Sequence, residues 1–264
     1  MQITLIGSGN VAHFLGLLFL QLNHTIVEVH SKNFLHAKSL ALKLHSNPIA
    51  NINELSQNSD LYILAISDSA LVEVVKDLNL SNKLLIHTSG TVPISVLAES
   101  SNNYGVIWPM RMIRKSTNFK DPFTAFINGS SNEVINQLNT IASQLTNKIV
   151  LADDSQRLKM HMVASLTSNF SNHLFYLAKN YCDSQNIDFK HFYSLIEESS
   201  IAIQNESPDQ LQAGPAFRGD LQTVDKHLNL LIGYDEIRNV YEVLTKSILF
   251  THSNKKAPDS TKEI

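Results

Sequence analysis

The chain of 264 residues holds a single cysteine, Cys182. One thiol excludes an intrachain disulfide framework and a cysteine-built zinc site, and it suits a reducing compartment. Eleven histidines are present, but none stands in a His-Glu-x-x-His or similarly close ligand spacing, so no metal centre is expected. Positive charge is not in excess. The balance of 21 Lys and Arg against 24 Asp and Glu leaves −3, which disfavours a nucleic-acid backbone or an anionic membrane as partner. Long apolar runs are missing too. The longest, 11–20, is interrupted by His13 and Gly16 and falls short of the roughly 20 residues a bilayer span requires. No Lys or Arg precedes it and no small-residue cleavage site follows, so it does not read as a signal peptide. The expectation is a cytoplasmic protein. No Gly-x-Ser-x-Gly elbow occurs, and Cys182 falls in a helical pattern that assigns it to core packing. Glycine is scarce, nine in all, so each one is expected where the backbone demands it.

With 43% apolar and 17% charged residues, the chain can bury a core, and its length fits two domains. Up to about residue 151, strand-length runs rich in Ile, Val and Leu alternate with helical patterns. The runs are 2–6, 25–30, 61–66, 83–87, 104–108, 123–127 and 148–151. Helical patterns cover 10–22, 34–44, 70–78 and 132–145. This alternation predicts βαβ units and a mainly parallel sheet covered on both faces. Beyond Asp153 the strands stop, and 155–180, 189–205 and 221–250 read as helices. The expected fold is an α/β Rossmann-like N-terminal domain followed by an all-α C-terminal domain. Residues 1–152 form the dinucleotide-binding domain, 153–252 a helical substrate and dimerisation domain, and 253–264 a flexible tail.

The first strand runs into Gly7-Ser8-Gly9-Asn10-Val11-Ala12. Gly7 suits a tight turn, Gly9 lets the backbone approach a pyrophosphate, and Ala12 lets the helix pack close to the strand. The helix N-terminus then offers unpaired N–H groups to phosphates. At the end of the second strand, an acidic residue would favour NAD. Here His30 is followed by Ser31 and Lys32, a hydroxyl and a cation that suit the 2′-phosphate of NADP. Ser31 and Asn33 also qualify as caps for the next helix. Later strand ends carry Ser67, Asp68 and Ser69, and then His87, Thr88, Ser89 and Gly90. Ser67, Asp68 and Ser89 are candidate cofactor contacts, because ligands lie at the carboxyl ends of such strands. Turn and capping roles compete for Ser69 and Ser89.

These turns, together with Met162-Val163-Ala164-Ser165-Leu166-Thr167-Ser168-Asn169 and Gln212-Ala213-Gly214-Pro215-Ala216-Phe217-Arg218-Gly219-Asp220, resemble one family. It is the branch joining a Rossmann-like domain to domain of unknown function 2520. It belongs to the superfamily of pyrroline-5-carboxylate reductase and the deazaflavin-dependent NADP oxidoreductases. The resemblance covers nearly the whole chain. Trp108-Pro109-Met110-Arg111 departs from it, standing where His-Pro-Leu-Gln is expected. The resemblance implies an NADP-linked oxidoreductase with a helical dimerisation domain, and it supplies no substrate.

On a regular helix from residue 155, His161, Ser165, Asn169 and Asn172 share one quarter of the circumference, opposite Leu166, Phe170, Leu174 and Leu177. A solvated face is one reading of this stripe. The other is a substrate wall, because imidazole, hydroxyl and carboxamide groups orient small polar ligands. His161, Ser165 and Asn169 are then expected to face the nicotinamide across a cleft. His161 is the preferred proton donor and His87 its competitor. Arg218 either meets a substrate carboxylate or the cofactor phosphates, or ties down its loop; Asp220 suits an N-cap. The leading expectation is reduction of a C=N or C=O group in a small metabolite by a homodimer. The alternatives are a non-catalytic NADP-binding sensor or scaffold, and reduction of a deazaflavin.

Overall fold

The computed structural model describes residues 1–114, 116–118 and 121–253, with the backbone only at Ser253. The chain divides into two compact units that meet between Ser168 and Asn169.

The first unit is built on an eight-stranded sheet. Its strands are β1 (Gln2–Ile6), β2 (Thr25–His30), β3 (Asn47–Ile49), β4 (Leu61–Leu64), β5 (Ser81–His87), β6 (Ser101–Met110), β7 (Thr124–Gly129) and β8 (Lys148–Leu151). Their order is β3-β2-β1-β4-β5-β6-β7-β8. All neighbours are parallel except β6 and β7. β1 to β6 therefore present their carboxyl ends along one edge, the edge at which doubly wound sheets bind ligands. β1 is the pivot: β2 pairs on one side and β4 on the other. β3 is an addition to the sequence reading. Three residues with a central Pro48 carry too little periodicity to read as a strand, and the edge of a sheet is where proline is tolerated.

Helices α1 (Asn10–Gln21), α2 (Phe34–Leu44) and α4 (Asn132–Leu145) bury Phe14, Leu15, Leu40, Leu44, Leu138 and Ile141 in one core with Ile3, Leu5, Ile63 and Ile86 of the sheet. A second core, with Ile6, Tyr62, Leu64 and Leu85, takes Leu71 of α3 (Asp68–Val74) and Leu97 of the 3-10 turn Ile94–Leu97. A third joins Val106 and Trp108 to Phe126 and Ala152, with Ile94 and Ala164 packed on it. Ala164 ends α5 (Asp154–Ala164). Strands give way to helices between Leu151 and Asp154, but compactness carries α5 with the sheet.

Two helical readings are corrected by the structure. The 155–180 segment is not one regular helix. α5 leads into a π-helical turn, Ser165–Phe170, and then α6 (Ser171–Ser184). A π-turn holds more residues than an α-turn, so counting by 100° does not carry the stripe from His161 to Asn169. The 221–250 segment is also two helices, α10 (Leu221–Leu230) and α11 (Asp235–Ser253). Gly233 breaks them, with a φ of 85° that few residues other than glycine adopt.

The second unit also holds α7 (Tyr193–Ala202) and the single turns α8 (Pro208–Leu211) and α9 (Pro215–Arg218). Tyr181 meets Tyr234 edge to face at 5.1 Å, and His227 Nδ1 is 2.7 Å from the Tyr241 hydroxyl. Cys182 is buried here, as its helical position implied. Ser253 belongs to α11; the remainder of the expected tail, 254–264, lies outside the described residues.

Candidate functional site

Gly7 closes the turn after β1 with a φ of 126°, and a Cβ there would stand 2.1 Å from the Ala65 carbonyl oxygen. Only glycine fits, because the turn presses against the end of β4. Gly9 is the opposite case. Nothing lies within 4 Å of its would-be Cβ, so the backbone is open to an approaching group. α1 begins at Asn10 with no side-chain cap on its first N–H groups and no acid in its first turn. Those donors and the helix dipole are free for an anion.

The Ser8 and Ser31 hydroxyls meet at 2.8 Å, so the ends of β1 and β2 form one polar corner. Lys32 beside them is exposed and outside every ion pair formed among the described residues. Among the described residues no carboxylate is hydrogen-bonded or ion-paired to Ser8, Ser31 or Lys32. Glu28 is buried within β2 and accepts from Ser56 N–H at 3.0 Å. His30 Nδ1 donates to the Ile49 carbonyl at 3.1 Å. Asn33 caps α2 by accepting from Leu35 and His36 N–H, which leaves Ser31 and Lys32 without a capping duty. An adenosine 2′-phosphate fits this donor set.

At the ends of β4 and β5, hydroxyls and a carboxylate form one chain. Thr91 Oγ1 donates to Asp68 Oδ2, and Ser89 Oγ accepts from Thr91 and Val92 N–H at 3.0 and 3.1 Å. Ser89 therefore serves its own turn. Ser67 stands at the N-cap position of α3 without capping it, 3.4 Å from the Ser69 hydroxyl.

His87 ends β5 with 0% exposure. Its Nδ1 accepts from Ser89 N–H at 3.1 Å, so the neutral ring carries its hydrogen on Nε2, and that atom is buried without a hydrogen-bond partner. Burial first, and the Arg157 guanidinium second, lower its pKa from 6.5 to about 4. The nearby Asp154, Asp68 and Pro93 backbone offset only part of that shift. His87 is thus neutral at neutral pH and unfit to deliver a proton as an imidazolium.

His161 occupies the same corner from above. A Cβ on Gly90 would lie 2.4 Å from its Cδ2 and 2.9 Å from Trp108 Cε2. The glycine is what lets the imidazole and indole close over the turn. His161 is half-buried, its ring centroid 5.5 Å from that of Trp108, which is itself stacked on Phe126 at 5.1 Å. Trp108 is where the sequence departs from the resembling family, so the departure now has a structural use.

Ser165, half-buried, opens the π-turn. Asn169 and Arg218 belong to the second unit, and both are exposed. Asp220 caps α10 through Thr223 N–H at 3.1 Å. Gly214 and Gly219, at φ of 104° and 75°, shape the loop that carries Arg218. Arg111, just past the carboxyl end of β6, lies over the Phe14 and Phe123 rings at 5.1 and 5.8 Å. Among the described residues no cluster of His, Cys, Asp or Glu is arranged to hold a metal ion, and no helix is long and apolar enough to cross a membrane.

Sequence reasoning missed Arg157. This cation is 0% exposed, paired with Asp154 at 2.9 Å, and donates to the Val92 carbonyl. Its Nε and Nη1 have no partner. The available signal was its place four residues before His161, on the same face of α5.

Residues 2–90 match the family described as NADP oxidoreductase, coenzyme F420-dependent, and residues 123–248 match the domain of unknown function DUF2520. No curated protein matches the chain. Among solved structures, a Bacteroides fragilis protein provisionally named an NADP oxidoreductase is 32% identical, with 94% of this chain and 97% of that one covered and a TM-score of 0.88. The imine reductase of Myxococcus stipitatus, solved with NADP+, shares the fold at 14% identity, with 94% and 93% of the chains covered and a TM-score of 0.70. So does the reductive aminase of Aspergillus terreus, solved with NADPH and ethyl levulinate, at 16% identity, 94% and 92% coverage and a TM-score of 0.71. The kinship with the Bacteroides protein spans nearly both chains, and the chain belongs to the family in which an F420-dependent NADP oxidoreductase segment is followed by DUF2520.

Proposed function

We propose that the protein is an NADP-dependent oxidoreductase that reduces a C=N or C=O group of a small metabolite, and that it works in the cytoplasm as a homodimer through its helical part. The observation that carries this reading is the corner of Gly7, Ser8, Gly9, Ser31 and Lys32. It joins an open helix N-terminus to a hydroxyl pair and a cation that stands outside every ion pair among the described residues. Gly7–Val11 hold the pyrophosphate, Ser31 and Lys32 the 2′-phosphate, and Ser67, Asp68 and Ser89 line the path along the strand ends. When bound, the cofactor supplies the hydride. His161 supplies the proton to the nitrogen or oxygen being reduced, from a ring held on Gly90 and Trp108. Ser165 orients substrate polar groups; in the second unit, Asn169 is suited to an amide contact and Arg218 to a carboxylate. The neutral His87 supports the turn through Ser89 N–H. Residues 1–152 bind the dinucleotide, and 153–252 shape substrate binding and assembly.

The names of the solved structures support this chemistry, since an imine reductase and a reductive aminase share the fold. The family matched by residues 2–90 favours a second reading, reduction of a deazaflavin. Protection from thermal unfolding by NADPH, NADH and oxidised deazaflavin, followed by turnover on imines, carbonyls and the deazaflavin, separates the two. NADPH protection with turnover of an imine or carbonyl is expected. NADPH consumption only when deazaflavin is added assigns the second reading, and binding without any turnover overturns both in favour of a non-catalytic sensor.

A further inference from the structure

Three side chains of α5 grip one loop in reverse order. Asp154 Oδ1 accepts from Ile94 N–H at 3.2 Å, Arg157 Nη2 donates to the Val92 carbonyl, and His161 closes over Gly90. The helix residues stand at i, i+3 and i+7, about 10 Å of one helix face. The loop residues they meet are 94, 92 and 90. Asp154 Oδ1 also pairs with Arg157 Nη2 at 2.9 Å, so the first two grips share a charge. The third has no hydrogen bond of its own to the loop; it is a packing contact whose place is set by the helix below it.

A buried guanidinium is an expensive way to fasten a loop. Removing a cation from water costs several kcal/mol unless hydrogen bonds compensate, and here Nε and Nη1 stay unpartnered. An apolar side chain of similar volume would often be neutral or stabilising at such a position. Stability alone therefore does not account for an arginine there, whereas a rigid, planar donor that fixes the height of α5 against the turn does.

We propose that Arg157 is the positioning residue for His161, setting the imidazole against Gly90 and Trp108 by locking α5 onto the 90–94 loop. Its bearing on catalysis rests on the proton-donor role proposed above; its bearing on geometry does not. Trp108 is the only tryptophan of the chain and is 9% exposed with the His161 ring against it, so the access of a neutral quencher to its emission reports whether that ring stays in place. The test measures acrylamide quenching of Trp108 emission at one pH in the unaltered protein, in His161→Ala, and in Arg157→Met and Arg157→Gln.

Weak quenching in the unaltered protein that His161→Ala raises roughly twofold or more is expected. Arg157→Met is expected to reach at least about half of that rise with far-UV circular dichroism unchanged. Arg157→Gln, which keeps one donor for Val92, rises less. If Arg157→Met is folded and its Trp108 is no more accessible than in the unaltered protein, the proposal is overturned. In turnover, the same variants are expected to lower kcat by roughly ten- to a hundredfold with KM for NADPH within about threefold. Greater access to Trp108 in Arg157→Met without any turnover in the unaltered protein leaves the positioning role standing and removes the catalytic one.

Discussion

The imidazole of His161 and the indole of Trp108 lie with ring centroids 5.5 Å apart at an interplanar angle of 45°, and both close on Gly90. Residues from α5, β6 and the turn after β5 meet there, at the carboxyl edge of the sheet. His161→Gln removes the donor and keeps the volume. It is expected to lower turnover by at least about a hundredfold and to leave NADPH affinity within about threefold in calorimetry, because the cofactor corner of Gly7 to Lys32 is untouched. Retained turnover assigns the proton to another group.

Gly90→Ala tests the same corner from below. The added methyl meets His161 Cδ2 at 2.4 Å and Trp108 Cε2 at 2.9 Å, both too close to accept without movement. The imidazole, at the edge of the site, is expected to swing away before the stacked indole does. Turnover should fall roughly tenfold or more while the melting temperature drops by only a few degrees. Undiminished turnover would show that the ring's position there is immaterial.

Lys32→Asp replaces a cation beside the Ser8 and Ser31 hydroxyls with a carboxylate. Losing a charge-assisted contact costs on the order of 1.5–3 kcal/mol, so NADPH affinity is expected to fall roughly ten- to a hundredfold. NADH affinity should hold or improve. Equal losses for both cofactors would remove Lys32 from the 2′-phosphate site.

His87 gives the protein a defined sensitivity to acid. Its pKa is about 4 when folded against an ordinary 6.5, so the unfolded chain binds the extra proton in between. Unfolding free energy then rises with pH through that window. The contribution is complete above about 6.5 and fades as pH falls towards about 4. Full expression of the shift corresponds to about 3 kcal/mol. Denaturant titrations of His87→Gln at several pH values are expected to show a shallower loss of stability on acidification. A slope equal to that of the unaltered protein would contradict the buried, neutral assignment.

Phe170, Leu174, Phe175, Tyr176, Phe192 and Tyr193 are all exposed in the second unit, an apolar surface of the kind subunits cover. Sedimentation at micromolar concentration is expected to give a dimer. Phe175→Asp with Tyr176→Asp should yield a monomer. A monomeric unaltered protein that stays in solution would refute the assembly.

Residues close in the chain were enough to determine the strand-helix alternation, the glycine turn, the Asn33 and Asp220 caps and the burial of Cys182. Side-chain period, backbone freedom at Gly7 and capping chemistry act over a few positions, and they are legible in any window that contains them. Breaks in helical phase were not. The π-turn at Ser165–Phe170 leaves its neighbours' composition unchanged, and Gly233 was concealed by apolar residues on both sides. The least legible part was the clamp on the strand end. Arg157 and Val92 are 65 positions apart, and Asp154 and Ile94 are 60 apart. In sequence Arg157 is one more charged residue on a helix; only the folding of α5 onto the sheet buries it, brings its charge near His87 and sets His161 beside Trp108. Burial and charge pairing between distant segments arise from the assembled packing, so tertiary structure alone decided them.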